Sequence, residues 1–343
     1  MKALVLEAYK TLVYKEVENP HPGFGEVMVR VRATGICGSD VHGYDGTSGR
    51  RIPPMIMGHE SSGVIEEIGE GVTGWETGER VTFDSTIYNP EDWYSKRGQY
   101  NLSENRRVLG VSCNEYKQDG AFAEYIVIPA HILHKIPDKV SFEAAAMTEP
   151  VAVALHAVNL CEADPEEKVM VVGTGIIGLL LVQVLKARGF KDIYAVDVDP
   201  GKLELASRMG AGITLNPGID DIRHVVNLQT EFRGMDCIFE AVGIQETIDI
   251  SFENIRKGGT LVLVGNIMPE VNMPLQKIVT QQLRVQGSCA IAGEYPEALK
   301  LLENKLIATD QLISRIEPMS DGAEWFERLY AKEKGLLKVI LTP

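Results

Sequence analysis

The chain has 343 residues, of which 45% are hydrophobic and 24% charged. This length exceeds what one hydrophobic core usually holds, so two domains are expected. The formal net charge of −14 repels polyanions, which argues against nucleic-acid binding and against an anionic membrane surface, and favours a small-molecule substrate.

Short β runs separated by turn residues extend from Lys2 to about Lys135. In the run 27–32, valines take one face and Arg30 and Arg32 the other, as in a half-buried strand. We therefore predict an antiparallel, barrel-like domain. Its predicted strands are 3–6, 12–17, 26–33, 63–68, 80–83 and 121–128.

The segment 84–118 is polar and aromatic, and is too long for an ordinary hairpin loop. Its four aromatic residues predict an ordered lobe. They are Tyr88, Trp93, Tyr94 and Tyr100.

From residue 142 onward, helical and strand patterns alternate. The run 142–147 predicts a helix that Pro150 interrupts and that 151–159 can resume. Alternating strands and helices then predict a parallel, doubly wound sheet. The predicted strands are 169–172, 193–196, 213–215, 237–241 and 260–264, and the predicted helices are 176–188, 202–209, 219–229 and 245–255.

The tail predicts helices at 296–303 and 322–332 and a closing strand at 338–341 that returns to the first domain. The expected domains are a first domain of residues 1–152, completed by about 290–343, and a nucleotide-binding domain of residues 153–289.

Metal-ligand residue types cluster between Cys37 and Glu60. Cysteine, histidine and glutamate supply sulfur, nitrogen and oxygen donors to a four-coordinate zinc, and catalytic zinc sites keep one position open. Cys37, His59 and a carboxylate are the candidate ligands.

A glycine-rich loop, Gly-Thr-Gly-Ile-Ile-Gly, follows the apolar run 169–172 and opens a helical run. Glycines there permit a tight turn and close approach of a pyrophosphate, which the helix N-terminus attracts. The predicted cofactor-binding residues of this loop are Gly173, Gly175, Ile176, Ile177 and Gly178.

Asp197 ends the next predicted strand, 19 residues after Gly178. A carboxylate there accepts hydrogen bonds from the adenosine ribose and repels a 2′-phosphate, which predicts NAD rather than NADP. Asp199 is better placed to cap the next helix.

Together these motifs, with Gly58-His59-Glu60 and the run Thr148–His156, make the chain resemble the zinc-dependent medium-chain dehydrogenases over essentially its whole length. The sorbitol (polyol) dehydrogenase branch is the most similar. The resemblance implies a GroES-like barrel domain, a Rossmann domain and an active site in the cleft between them. It also implies a homo-oligomer, a dimer or a tetramer.

By the same resemblance, Cys37 and His59 match the first two zinc ligands, and Ser39 and His42 match a proton relay. Glu60 and Glu149 both match carboxylates found at or near the metal, and the sequence leaves open which of them binds at rest. As catalytic residues we expect Ser39, His42, Glu60 and Glu149.

Two departures from the family matter. The positions that hold four structural-zinc cysteines in many relatives are Asn89, Asp92, Ser95 and Ser103 here, so we expect the lobe without its zinc and one catalytic zinc per chain. The arginine and tyrosine that grip the polyol in animal sorbitol dehydrogenases are replaced by Ala290 and Ile291.

The expected function is zinc-dependent transfer of a hydride from a secondary alcohol of a polyol, sugar alcohol or related small alcohol to NAD. Alternatives are a butanediol or threonine dehydrogenase, a zinc-free quinone or enoyl reductase on the same fold, and a non-catalytic nucleotide-binding protein. Five widely spaced cysteines predict a cytoplasmic protein. Tyr44, Arg50 and Arg51 either shape the substrate end or are solvated surface.

Overall fold

The structure, a computed structural model, describes every residue from Met1 to Pro343. The chain forms two compact units. The first contains Met1–Glu149, Ile291–Asn304 and Thr309–Pro343, and the second contains Pro150–Ala290 and Lys305–Ala308. The sequence placed the whole stretch 290–343 with the first domain, whereas the short segment Lys305–Ala308 packs in the second unit: its Ala308 N donates to Gln183 Oε1 at 2.7 Å.

Twenty strands are formed. In chain order they are β1 (Lys2–Ala8), β2 (Thr11–Glu16), β3 (Glu26–Gly35), β4 (Met55–Ile56), β5 (Glu60–Ile68), β6 (Arg80–Phe83), β7 (Thr86–Ile87), β8 (Arg107–Val108), β9 (Val111–Ser112), β10 (Lys117–Gln118), β11 (Tyr125–Pro129), β12 (Leu133–Lys135), β13 (Lys168–Val172), β14 (Asp192–Val196), β15 (Ile213–Leu215), β16 (Met235–Glu240), β17 (Ile255–Leu263), β18 (Arg284–Gly287), β19 (Ile313–Pro318) and β20 (Lys338–Thr342).

Ten α-helices accompany them. They are α1 (Gly38–Gly43), α2 (Phe142–Ala146), α3 (Thr148–Asn159), α4 (Ile176–Ala187), α5 (Pro200–Met209), α6 (Ile222–Gln229), α7 (Gln245–Asn254), α8 (Leu275–Thr280), α9 (Tyr295–Glu303) and α10 (Gly322–Tyr330). None of these helices combines the length and the apolar character that crossing a bilayer requires.

The first unit is built on a mainly antiparallel sheet, in which the strands lie in the order β12-β6-β5-β3-β20-β19 and β11 also pairs with β3. Only β19 and β20 run parallel. Alternate residues of β3, including Val27, Val29 and Val31, are buried, as the alternating pattern predicted. A second sheet, β2-β1-β4, packs its apolar face against α10 through Leu4, Leu6 and Phe326.

The second unit contains the predicted parallel sheet, in the order β15-β14-β13-β16-β17-β18. All its strand pairs are parallel. Strand β13 lies in the middle, between β14 on one side and β16 on the other. The order in which the chain adds strands to the sheet therefore reverses at β13, and ligands of such sheets bind at the carboxyl ends of the strands at this point.

Pro150 does not interrupt a helix, contrary to the prediction. The break falls at Met147, and Pro150 lies in the first turn of α3. The first four N–H groups of a helix have no partner within it, so the missing N–H of proline has no cost there. The sequence also missed the short helices α1 and α8 and eight strands, most of them short: β4, β7, β8, β9, β10, β12, β18 and β19.

Candidate active site

Three adjacent strands of the first unit bring the candidate metal ligands together. Strand β3 pairs with β5 so that Gly35 lies opposite Glu60, and β20 pairs with the other side of β3. A Cβ on Gly35 would lie 2.4 Å from Glu60 Oε2, so a larger residue there would displace that carboxylate. Cys37 follows β3 and His59 precedes β5, which is why residues 22 positions apart in sequence become neighbours.

Cys37 is the N-cap residue of α1. Its Sγ accepts hydrogen bonds from Ser39 N (3.5 Å) and Ser39 Oγ (3.4 Å), and its own N–H donates to Asp40 Oδ2 at 3.3 Å. The donor atoms of Cys37, His59 and Glu60 all lie within 4.8 Å of one another. Cys37 is partly buried and the other two are buried, so the cluster combines a thiol, an imidazole and a carboxylate away from bulk water.

Asp40, which the sequence analysis did not single out, faces His59. The two side chains approach to 3.5 Å between His59 Nδ1 and Asp40 Oδ1, and no group completes a well-formed hydrogen bond to this buried nitrogen. Burial opposes the charged form of His59, but the charges of Asp40 and Cys37 outweigh it and raise its pKa well above the ordinary value. The pocket therefore favours a cation at this position, and a carboxylate behind a histidine is the usual support for a metal-bound imidazole.

Arg51 holds Asp40 from the other side. Its Nε and Nη2 donate to Asp40 Oδ1 at 3.2 and 2.9 Å, and Nη2 also donates to Ser39 Oγ at 3.4 Å. Arg51 is only 3% exposed, so the solvated-surface interpretation is wrong for this residue. Tyr44 is neither a solvated surface residue nor free to face a substrate. It is buried, and its hydroxyl forms hydrogen bonds with Glu327 Oε1 and Lys10 O within the first unit. Arg50 is exposed.

Glu60 is already engaged by a residue 278 positions away. Lys338 Nζ donates to both of its carboxylate oxygens, at 2.6 and 2.8 Å, and to Ile36 O at 3.1 Å. Both side chains are almost completely buried. No motif marked Lys338, and only the pairing of β20 with β3 reveals it.

Glu149, at the start of α3, is the second candidate carboxylate. Its Oε1 accepts a hydrogen bond from Ser85 Oγ at 3.1 Å. Burial, with the nearby charge of Glu60, raises the pKa of Glu149 to about 7, although His59 acts in the opposite direction. Glu149 is therefore near enough to His59 and Glu60 for their charges to affect its pKa, but no lysine or arginine donates a hydrogen bond to it.

Ser39 and His42 both lie on α1 and both are exposed. They are three residues apart, a spacing that places side chains on the same helix face. No hydrogen bond joins them in this structure; Ser39 Oγ is shared between Cys37 and Arg51 instead.

The glycine loop of the second unit connects β13 to α4 at the centre of the parallel sheet. Gly173 has φ +92°, and a Cβ on Gly178 would lie 1.9 Å from Gly173 O, so both positions require glycine. Nothing lies within 4 Å of the Cβ position of Gly175, the N-cap residue of α4. The loop thus leaves open space beside a helix N-terminus, which suits a phosphate group. Ile176 and Ile177 form the first turn of α4.

Asp197 directly follows β14 and holds the glycine loop. Its Oδ2 accepts hydrogen bonds from Thr174 N (2.7 Å) and Thr174 Oγ1 (3.0 Å), and its Oδ1 accepts one from Asp199 N (2.9 Å). Asp199 is the N-cap residue of α5, with Oδ1 accepting from Gly201 N at 2.8 Å, as expected.

The four positions that correspond to structural-zinc cysteines form a hydrogen-bonded group. Asp92 is at its centre: its Oδ1 accepts from Ser95 N at 2.7 Å and its Oδ2 from Ser103 Oγ at 2.5 Å and Glu104 N at 2.9 Å. Asn89 N donates to Ser103 Oγ at 3.1 Å. Within the lobe, Tyr88 stacks on Tyr100 with ring centroids 4.3 Å apart.

Comparison with known proteins identifies the family. Residues 23–138 match the alcohol dehydrogenase GroES-like domain, and residues 177–304 match the zinc-binding dehydrogenase domain. A sorbitol dehydrogenase from Halalkalibacterium halodurans is 34% identical over an alignment 353 positions long, gaps included, which covers 100% of this chain and 99% of that protein. The chain belongs to the zinc-binding alcohol dehydrogenases. This confirms both the resemblance and the predicted combination of a GroES-like and a Rossmann domain.

Solved structures of other dehydrogenases agree with this assignment. The 2R,3R-butanediol dehydrogenase of Bacillus subtilis is 31% identical with a TM-score of 0.89, and the alignment covers 100% of this dehydrogenase and 99% of that chain. A zinc-binding dehydrogenase from Sinorhizobium meliloti 1021, bound to NADP, is 30% identical with a TM-score of 0.90 and the same coverage. The enzyme is therefore an oxidoreductase of the zinc- and NAD(P)-dependent class.

Proposed function

We propose that this dehydrogenase oxidises a secondary alcohol of a polyol, sugar alcohol or related small alcohol and transfers the hydride to NAD. The observation that carries the proposal is the cluster of Cys37, His59 and Glu60, with Glu149 near enough for its pKa to respond to His59 and Glu60. The second unit of the chain adds an open glycine loop at the centre of a parallel sheet. A zinc-free quinone or enoyl reductase has no use for such a donor set.

The donor set fits one catalytic zinc. Sulfur of Cys37, an imidazole nitrogen of His59 and one carboxylate make three protein ligands, and a catalytic site keeps a further position for substrate. We assign the third ligand to Glu149. Glu60 has both oxygens occupied by Lys338, whereas the only hydrogen bond to Glu149 comes from the neutral hydroxyl of Ser85. Glu60 then supports the site from behind, together with Asp40.

When bound, the zinc supplies Lewis acidity that lowers the pKa of a substrate hydroxyl. Ser39 is the residue placed to accept the proton that the alcohol loses, because its hydroxyl is exposed and lies beside Cys37. Arg51, which donates to Ser39 Oγ, orients that hydroxyl. Ser39 in turn passes its own hydroxyl proton to the exposed His42, three residues further on α1, which releases it to water; this step requires the two side chains to form the hydrogen bond that this structure does not contain.

NAD, rather than NADP, is the proposed cofactor because of Asp197. Its carboxylate lies beside the glycine loop at the carboxyl end of β14, where a 2′-phosphate would meet a negative charge. The related Sinorhizobium dehydrogenase was solved with NADP, so the choice depends on this residue of the chain and not on the family as a whole.

The substrate proposal follows the relatives. The Halalkalibacterium relative is named for sorbitol, and the Bacillus neighbour for 2R,3R-butanediol. Ala290 and Ile291 provide no charged or hydroxyl group to grip a long polyol. This favours a small diol, such as butanediol, as the second candidate substrate.

We also propose that the enzyme forms a homo-oligomer, a dimer or a tetramer, in the cytoplasm. Strand β18 pairs with β17 on one side only, and the residues before it include exposed apolar side chains at Ile267, Leu275 and Val279. An open strand edge beside an apolar patch favours pairing with a second copy. Light scattering of the purified chain measures the state directly.

The deciding experiment is a panel of polyols, sugars, butanediol and threonine, each with NAD and with NADP, followed by absorbance of the reduced cofactor. The wild-type enzyme is expected to reduce NAD with at least one polyol or diol and to contain one zinc per chain. Cys37→Ser and Glu149→Gln should lose zinc and turnover, while NADH still binds because the glycine loop is unchanged.

Cys113→Ser is the matched control, since Cys113 belongs to none of these interactions. Full activity in Cys37→Ser, or in wild-type enzyme after complete chelation, would contradict the zinc mechanism. Two zincs per chain would contradict the assignment of one.

A further inference from the structure

Glu240, the last residue of β16, accepts hydrogen bonds from two loops at the carboxyl edge of the parallel sheet. Its side-chain Oε1 accepts hydrogen bonds from Val242 N (2.9 Å) and Gly243 N (2.8 Å). Its main-chain oxygen accepts two more, from Val264 N (2.8 Å) and Gly265 N (3.0 Å), in the segment that follows β17. A single residue thus sets the conformation after two neighbouring strands.

The two loops, 241–243 and 264–266, touch backbone to backbone. A Cβ on Gly265 would lie 2.2 Å from Val242 N, and a Cβ on Gly243 would lie 2.4 Å from Asn266 N. Ile267 N and Met268 N donate to Val242 O and Gly243 O, at 3.3 and 2.9 Å. A shift of either loop therefore moves the other.

The second carboxylate oxygen of Glu240 indicates that the residue is not there for packing. The side chain is completely buried, and Oε2 has no hydrogen-bond partner. Burying an unpaired carboxylate oxygen is unfavourable, and an apolar side chain would avoid that cost only by leaving Val242 N and Gly243 N without an acceptor. Such departures from good packing are expected where a backbone conformation serves a site.

The position of these loops suggests which part of the cofactor they serve. Asp197, after β14, and the glycine loop, after β13, account for the adenosine ribose and the pyrophosphate. Strands β16 and β17 lie on the other side of β13. A dinucleotide that crosses the glycine loop must therefore place its nicotinamide half over the loops after β16 and β17.

We propose that Glu240 is a positioning residue for the nicotinamide half of NAD, acting through the backbone of loops 241–243 and 264–266. This inference rests on the proposed use of NAD. Different residues would then serve the two halves of the cofactor. Asp197 and the glycine loop would bind the adenosine half, and Glu240 would position the loops that contact the nicotinamide half.

The test compares the affinities of NADH and ADP for the full-length enzyme, by calorimetry, in Glu240→Ala and Glu240→Gln. Glu240→Ala removes the acceptor of Val242 N and Gly243 N, so NADH should bind about tenfold more weakly, while ADP binds as in the wild type. Glu240→Gln keeps an acceptor oxygen and should restore NADH binding. The exposed Glu246, changed to Gln, is the control for charge.

Gly243→Ala supplies a second route, because it pushes the loops apart without touching the carboxylate, and it should also weaken NADH selectively. Equal loss of ADP and NADH in Glu240→Ala, or no loss of NADH in either Glu240→Ala or Gly243→Ala, would overturn the inference. If the wild-type enzyme binds neither ADP nor NADH, the proposed cofactor itself is wrong.

Discussion

Lys338 and Glu60 show how a single pair of residues shapes the metal site. Burial lowers the pKa of Lys338, but the charge of Glu60 outweighs this effect and the pKa is raised overall. The lysine therefore stays charged, and it neutralises one of the two carboxylates beside His59. A buried ion pair of this kind adds little net stability over apolar residues, but breaking it leaves an uncompensated charge.

Lys338→Met should lower the free energy of unfolding by about 3–5 kcal/mol, because Glu60 is left buried without a partner. Urea unfolding in the presence of a chelator measures this change free of any metal contribution. The double variant Glu60→Gln with Lys338→Met should recover most of the loss. The exposed Lys334, changed to Met, should alter stability little; a similar loss there would show that the effect is not specific to the pair.

At the scale of elements, the lobe at 84–118 is held by Asp92 rather than by thiolates. Hydrogen bonds from Ser103, Ser95 and Glu104 lower the pKa of Asp92 to about 2, so the carboxylate is charged at any ordinary pH. It connects the start of the lobe to a residue eleven positions later.

Asp92→Ala should loosen the lobe without unfolding the enzyme. Hydrogen exchange at the amides of Ser95 and Glu104 should become faster, since both lose their acceptor. Glu91→Ala is the control, because Glu91 is exposed and pairs only with Lys96 on the surface. Added chelator should leave exchange in the wild-type lobe unchanged, and faster exchange with chelator would indicate a metal there.

Asp197, which follows β14 and accepts hydrogen bonds from Thr174 of the glycine loop, is the proposed determinant of the cofactor preference. Asp197→Ala should raise the KM for NAD and reduce the preference for NAD over NADP, because both the ribose acceptor and the negative charge are lost. Steady-state kinetics with the two cofactors measures the ratio of kcat/KM. Asp199→Ser keeps a helix cap and should leave the ratio unchanged. An unchanged ratio in Asp197→Ala would reject the role of Asp197.

At the scale of the whole molecule, His134 is a partly buried group outside the metal site that couples stability to pH. His134 stacks on Tyr295 with ring centroids 4.7 Å apart, and burial lowers its pKa to about 4. The unfolded chain binds a proton there below about pH 6.5, and the folded chain does so only near pH 4. The contribution of His134 is thus fully present above pH 6.5 and is lost as the pH falls towards 4.

His134→Gln should weaken this acid dependence. Between pH 7 and pH 4 the wild-type enzyme should lose up to about 3 kcal/mol more than the variant, from a pKa difference of about two and a half. Urea unfolding at several pH values measures the difference. The exposed His224, changed to Gln, should follow the wild type; parallel curves for the wild type and His134→Gln would rule out this contribution.

Much of the fold was predictable because it depends on local patterns. The predicted strands of the parallel sheet lie within a few residues of β13 to β17, since a buried parallel strand reads as an apolar run between turns. Pro150 was misplaced because a proline in the first turn of a helix looks, in sequence, like one that ends it. The short helix α1 has too few residues to show a period.

The sequence by itself determined the family, the two kinds of domain and the residue types of the metal site and glycine loop, because these are motifs of adjacent residues. Only the tertiary structure decided how those residues are supported. Lys338 forms an ion pair with Glu60, which is 278 positions away in sequence. Arg51 is a buried partner of Asp40 and not a surface residue. The main-chain oxygen of Glu240 accepts hydrogen bonds from the loop that follows β17. Strand pairing and burial create these contacts, and the spacing of residues along the sequence predicts neither of them.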